Sequence, residues 1–190
     1  KLFPAYLGYC FEEADDTVFF DHRPRASYPN GFDFSLRADR CTYAGCTVTF
    51  TCLQLAAYLG FRSIHLIGVD ADYSIPDDVK RLAGGDVGVL DMDSEDPNHF
   101  DPDYFGKGFR WHDPQLDKML EAYEEAQRVS SAHGIRITNA GMGGKLEVFP
   151  RTDFDALFGS GAEPERMPED READTVPSVA VLDITRSGDG

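Results

Sequence analysis

Asp70, Asp72, Tyr73, His99, Tyr104 and His112 are the side chains of this sequence best suited to a phosphorylated substrate. Two carboxylates one residue apart, as in Asp70-Ala71-Asp72, can hold Mg2+ or Mn2+ against a diphosphate, as DxD sequences do in many enzymes that use nucleotide sugars. An acidic chain also makes this pattern by chance, and Asp91-Met92-Asp93 and Asp101-Pro102-Asp103 repeat it. The first copy differs in following the strand-like run SIHLIGV, and open parallel sheets bind ligands outside the carboxyl ends of their strands. The local alternative for Asp70 is to cap the turn that follows. Histidine moves protons near neutral pH, which singles out His99 and His112. His112 stands before an expected helix whose positive end favours the neutral, base-competent ring. Its other reading is packing beside Trp111. Tyr73 and Tyr104 can donate to phosphate oxygens or simply pack. His65, inside the strand, reads as a satisfied core residue.

These groups need elements to carry them. Thr47 to Tyr73 supplies a helix with Val48, Leu53, Leu55, Ala56 and Leu59 as its apolar cover, a Gly60 stop, and a strand from Ser63 to Val69. The strand's nearly unbroken apolar character predicts burial on both faces in a parallel sheet. Thr47 is the expected N-cap, where backbone N–H groups could hold a phosphate or carboxylate. Two apolar runs in residues 1 to 20 read as strands. The segment from Asp21 to Arg40 is turn-rich and contains Arg23, Arg25, Arg37 and Arg40, which could meet an anion or offset nearby acids. From Ser74 to Trp111 the sequence predicts a long irregular loop. Its aromatics Phe100, Tyr104, Phe105, Phe109 and Trp111 surround His99 and His112 as a lid would. Asp113 is the expected cap of a second helix, with Pro114 in its first position and Leu116, Met119, Leu120, Tyr123, Ala126 and Gln127 on its inner face. Gly134 ends that helix. The strand IRITNA follows, with Asn139 counted among the substrate contacts, and Thr152 is the expected cap of a short helix through Phe158.

With 34 acids against 18 Lys and Arg, a formal charge of −16 argues against a nucleic acid partner. No apolar run is long enough to cross a bilayer, and no signal-like start is visible, so the expected location is cytoplasmic. The four cysteines lack zinc spacing and read as buried or unreactive thiols. Lys1 reads as an internal cut rather than a natural start. Residues 1–159 form the expected domain and 160–177 a charged linker. SVAVLDI, within 178–190, reads as the start of a further domain of the same polypeptide.

Three segments, GCTVTFTCLQLAAYLGFRSIHLIGVDADYS, NHFDPDYFGKGFRWHDPQLDKMLEAYEEA and IRITNAGMGGKLEVFPRTDFDALF, resemble the 6-hydroxymethylpterin diphosphokinase MptE-like family. That domain also forms the central part of flagellar motility accessory factors, implicated in placing nonulosonic acids on flagellin. The helix–strand–GVD unit is also similar, more loosely, to bacterial lipooligosaccharide sialyltransferases, which use a CMP donor without a metal. That similarity implies that Gly45 and Thr47 lie near the nucleotide, that Tyr73 contacts phosphate and that His112 is the general base. The N-terminal G-x-G-P-S-type nucleotide loop of these families is missing. The expected fold is α/β, a Rossmann-like three-layer domain with a mostly parallel sheet, truncated at its N-terminus. The expected function is transfer of a sugar from a nucleotide-activated donor, a CMP-linked one in the leading reading, to a hydroxyl. A Mg-dependent diphosphokinase and a non-catalytic sugar-binding or scaffolding module are the alternatives.

Overall fold

The computed structural model describes residues 1–11, 14–24, 31–77, 79–82, 88–93, 95, 97–98 and 107–158. The chain divides into two units, Lys1–Phe154 and Asp155–Gly190. The first is a mixture of helices and short strands in which parallel pairing predominates, an α/β arrangement. Strand β1 (Leu2–Pro4) leads through a 3₁₀ helix (Ala5–Cys10) to β2 (Val18–Phe20), and the two strands pair in parallel. The next strand, β3 (His22–Arg23), pairs in parallel with β4 (Thr42–Tyr43). Helix α1 (Val48–Tyr58) precedes β5 (Ser63–Leu66), which pairs in parallel with β9 (Arg136–Asn139). Between these partners lie β6 (Lys80–Leu82), β7 (Val89–Asp91), β8 (Arg110–His112) and α2 (Leu116–Ala132). A five-residue helix, α3 (Phe154–Phe158), closes the described region. Among the described residues no helix is long and apolar enough to cross a membrane.

Thr47 caps α1 as its position predicts, its hydroxyl accepting from the Thr49 N–H at 3.3 Å. Gly60, at φ +94°, ends the helix with the Gly60 N–H bonded to the Ala57 carbonyl and the Phe61 N–H to the Ala56 carbonyl. This paired closure is the Schellman motif, which needs a residue free to turn left-handed. The buried face corrects the expectation. Phe50, Leu53, Gln54 and Ala57 point inward at i, i+3, i+4 and i+7, whereas Val48 and Leu59 are exposed and Leu55 and Ala56 only partly covered. The helix packs one-sidedly, and its inward stripe includes a glutamine.

The strand after it is also less enclosed than its composition predicts. It spans four residues rather than seven, only Leu66 is fully buried, and Ile67 beyond it is exposed. Its one neighbour among the described strands is β9, so half of its backbone edge and much of its surface lack the cover that a central strand would have. The inner sides of β5 and β9 nonetheless meet α1 and α2 in one core. Leu66, Ile137, Phe50, Leu53, Met119, Tyr123, Leu146 and Phe149 are its buried members.

The region expected to be an irregular loop holds a three-stranded antiparallel sheet, β6-β7-β8, with Val89 opposite His112 and Leu90 opposite Trp111. Leu90, Met92 and Trp111 form its own small core, supported by Ile75 and Val79. Trp111 therefore belongs to a sheet core rather than a lid, and Phe109 is exposed. Phe100, Tyr104, Phe105 and His99 lie outside the described residues.

The second helix also begins later than expected. Asp113 accepts from the Gln115 N–H at 3.0 Å and so closes a turn, while Gln115, at φ +46°, occupies the N-cap of α2. Pro114 thus precedes the helix, since the left-handed residue after it breaks helical continuity. The inner face of α2 is Met119, Ala122, Tyr123, Ala126 and Ser130. Three of the four cysteines, Cys10, Cys46 and Cys52, are exposed and only Cys41 is buried, so of the expected buried or unreactive thiols burial holds for Cys41 alone.

Candidate functional site

Two helix starts and one strand end meet around a pocket of about 160 Å³. Cys46 and Thr47 bring the start of α1 to it, Pro114 and Met119 the start of α2, and Trp111 and His112 the end of β8; Tyr73 completes the lining. Of the residues predicted from the sequence, Thr47, Tyr73 and His112 are therefore brought together. Their convergence combines hydroxyl donors, an imidazole and an aromatic wall, a set suited to a small anionic group with an apolar flank.

Each of these side chains has a traceable support. His112 is exposed and set by β8, whose register places it opposite Val89, while the next N–H, of Asp113, bonds the Gly88 carbonyl at 2.8 Å. Arg81 of β6 forms an ion pair with Asp113 and ties the far strand to the same corner. Tyr73 is 37% exposed, and its ring lies 6.3 Å from that of Trp111. Burial, seconded by the charge of Asp70, raises its phenol above the usual tyrosine range, so it remains protonated and able to donate.

Helix α1 is held in place by Gln54, completely buried within it. Its Oε1 accepts from the Ser35 N–H at 3.0 Å and the Tyr43 N–H at 2.9 Å, and its Nε2 donates to the carbonyls of Tyr43 (2.8 Å) and Phe50 (3.2 Å). All four hydrogen-bonding positions of the amide are spent, which fastens β4 and the 31–36 segment to the helix. The one polar residue in LQLAAYL was the available sequence signal. Gly45 is buried ahead of Thr47, and a Cβ there would come within 2.3 Å of the Phe50 ring. Its smallness lets the chain pass over Phe50 into the helix; it does not line the pocket.

The carboxylates are placed differently from the expectation that they share a cleft with the imidazole. Neither Asp70 nor Asp72 lines the pocket. The Asp70 carbonyl accepts from the N–H groups of Lys145 (2.6 Å) and Leu146 (3.1 Å), and Asp72 pairs with the Lys145 ammonium at 2.5 Å. Asn139 is 1% exposed; its Nδ2 donates to the Leu146 carbonyl at 3.0 Å and its Oδ1 accepts from the Gly141 N–H at 2.9 Å. Arg151 grips the same turn through the carbonyls of Gly141, Gly143 and Gly144. Asp70, Asp72 and Asn139 are thus fixed to the 141–146 loop. For a hard cation this donor set fits poorly. One carboxylate already faces an ammonium, and among the described residues no three His, Cys, Asp or Glu side chains gather as metal ligands.

Away from the pocket, Arg23 pairs with Asp21 at 2.7 Å and Arg37 with Asp39 at 2.5 Å, so each has an acidic partner two residues away. Arg25 lies outside the described residues. His65 bonds Thr138 at 2.7 Å and Ser63 at 3.1 Å, the satisfied state expected of it.

Sequence reasoning did not find the backbone conformations around the pocket. The described residues other than glycine with positive φ are Cys46 (62°), Ala71 (51°) and Gln115 (46°). Cys46 lines the pocket, Ala71 lies two residues before Tyr73, and Gln115 follows Pro114. No family model, curated protein or solved structure matches this chain.

Proposed function

We propose that this chain is a glycosyltransferase-like domain, of Rossmann-like three-layer type and akin to the MptE-like family. It takes a nucleotide-activated sugar, in the leading case a CMP-linked nonulosonic acid, and passes the sugar to a hydroxyl acceptor. The observation that carries this reading is the meeting of Thr47 at the α1 N-terminus, Tyr73 and His112 in one pocket. His112 removes the acceptor's proton as its oxygen bonds the anomeric carbon; the bond from that carbon to the phosphate oxygen breaks, and the electron pair leaves with the nucleotide. Tyr73 donates to the departing phosphate, and the α1 N-terminus opposes its charge. A volume of about 160 Å³ is below the roughly 300–1,000 Å³ of sites for drug-sized ligands, so the pocket holds one part of the donor rather than all of it.

The engagement of Asp72 by Lys145 favours metal-independent transfer over a Mg-dependent diphosphokinase, whose chemistry needs those carboxylates for the cation. Titration of the full chain with CMP, with and without EDTA, tests this. Equal binding in both is expected, whereas binding abolished by EDTA would return the diphosphokinase to first place. His112→Ala should keep CMP affinity while transfer falls about 10²–10⁴-fold, the usual worth of a general base. Unchanged transfer removes His112 from the mechanism, and no binding of any nucleotide sinks both enzymatic readings.

A further inference from the structure

The outer face of the β5–β9 pair carries a hydrogen-bonded chain of side chains that the proposed transfer does not use. Residues alternate between the two faces of a strand, so Leu66 and Ile137 point into the core while Ser63, His65, Arg136 and Thr138 share the opposite face. Register sets Ser63 beside Arg136 and His65 beside Thr138. The His65 ring bridges two hydroxyls, with Nε2 3.1 Å from Ser63 Oγ and Nδ1 2.7 Å from Thr138 Oγ1. At the exposed end, Arg136 Nη2 donates to Ser63 Oγ at 3.3 Å. A guanidinium can only donate, so the chain runs from it: Ser63 gives its proton to Nε2, and the Nδ1–H donates to Thr138. Ser63 is exposed, whereas Thr138, which holds the far side of the ring, is 8% exposed. None of the four lines the pocket. Satisfied bonds do not make the ring inert. A hydroxyl aimed at an imidazole that a third group orients is the arrangement that activates a serine.

We propose that Ser63 is a nucleophile toward small activated esters, with His65 as its base, Thr138 positioning the ring and Arg136 beside the developing oxyanion. This activity is separate from sugar transfer and does not depend on it. Ser63 Oγ bonds the ester carbonyl carbon as its proton passes to His65 Nε2. The carbonyl electron pair moves onto oxygen, next to the Arg136 guanidinium. It returns as the bond to the leaving oxygen breaks, and that oxygen takes the proton from Nε2. Water then attacks the acyl-serine with His65 again as base, which releases the acid and restores Ser63.

A fluorophosphonate probe, which loses fluoride to an activated serine, tests this on the full chain, with the labelled residue located by peptide mass spectrometry. Wild type should carry the label on Ser63, and p-nitrophenyl acetate should leave an acetyl group on the same residue. His65→Gln should slow labelling about 10²–10⁴-fold, the usual worth of a general base. Thr138→Val should slow it about tenfold, the worth of one hydrogen bond, and Thr138→Ser should restore the wild-type rate, which a purely structural role would not require. Ser63→Ala, a change at an exposed position, should abolish the label with the far-UV circular dichroism unchanged. No label on Ser63, labelling spread evenly over the other serines, or an unchanged rate in His65→Gln would overturn the proposal. Equal rates in Thr138→Val and wild type would remove Thr138 from it.

Discussion

Gly143 and Gly144 offer a matched pair of substitutions that isolates a single contact. Both are left-handed, at φ +76° and +74°, so an alanine at either incurs about 1–2 kcal/mol of backbone strain. A Cβ on Gly143 would meet nothing within 4 Å. On Gly144 it would lie 2.5 Å from Asp70 Cβ, 2.6 Å from the Asp70 carbonyl oxygen and 2.7 Å from Asp70 Cα, and no rotamer change can move those backbone atoms. The 141–146 loop must therefore lift from Asp70, which loosens the hydrogen bonds from the Lys145 and Leu146 N–H groups at about 1 kcal/mol each. The exposed Lys145–Asp72 pair adds less than about 1 kcal/mol. Gly143→Ala should then cost about 1–2 kcal/mol and Gly144→Ala about 3–5 kcal/mol in urea unfolding followed by far-UV circular dichroism. Because Asp70 is three residues from Tyr73, Gly144→Ala should also weaken CMP binding, and Gly143→Ala should not. Equal losses of stability in the two variants would refute the docking of this loop on Asp70.

Gln54→Leu strands the Ser35 and Tyr43 N–H groups and the Tyr43 carbonyl, each at about 1–2 kcal/mol, against a partial gain from the apolar side chain. The net loss should be about 2–4 kcal/mol by urea unfolding, and a neutral result would mean that the amide does not anchor β4. His22 has its pKa lowered from 6.5 by burial, with Asp21 pulling the other way, and its Nδ1 faces Thr42 Oγ1 at 2.9 Å. The unfolded chain therefore binds more protons than the folded one just below pH 6.5, so stability should fall as pH drops through that range. Arg23 pairs with Asp21 throughout, and the lowered carboxylates Asp39 and Asp93 titrate further down, outside that window. Urea midpoints at pH 7.5 and 5.5 should separate more in wild type than in His22→Asn; equal separation would exclude His22 as the cause.

The features legible in the sequence were those set by local chemistry. Thr47 caps because a hydroxyl there satisfies an orphan N–H, and Gly60 stops α1 because a left-handed residue closes the motif. Neither depends on what packs nearby. The inner face of α1 was harder to read because too many of its residues are apolar: Val48, Leu55 and Leu59 qualify as well as Leu53, and only the position of β4 decides between them. The β6-β7-β8 sheet escaped because its strands are three residues long, too short for a period of two to register. In the site, Thr47, Tyr73 and His112 were marked by type and by expected placement at element ends. The placement of Asp70 and Asp72 was misjudged because the 141–146 loop that engages them lies some seventy residues on.

The strained residues of the described chain cluster around the same pocket. Left-handed conformations at Cys46, Ala71 and Gln115 cost of order 1–3 kcal/mol each, a sizeable sum against a typical total stability of about 5–15 kcal/mol. Stability alone would favour glycine at these positions, as at Gly60 and Gly134, where helices end in the same conformation. All three sit beside residues that line one cavity, on three different elements: the start of α1, the segment after β5 and the turn before α2. Strain persists where surrounding contacts over-determine the backbone, and here those contacts are known for two of the three. The Asp70 carbonyl is fixed by two N–H groups just before Ala71, and Asp113 fixes the N–H of Gln115. The same restraints fix the backbone that leads into Tyr73 and into α2, both of which contribute to the pocket lining, so the strain is held where the cavity is built.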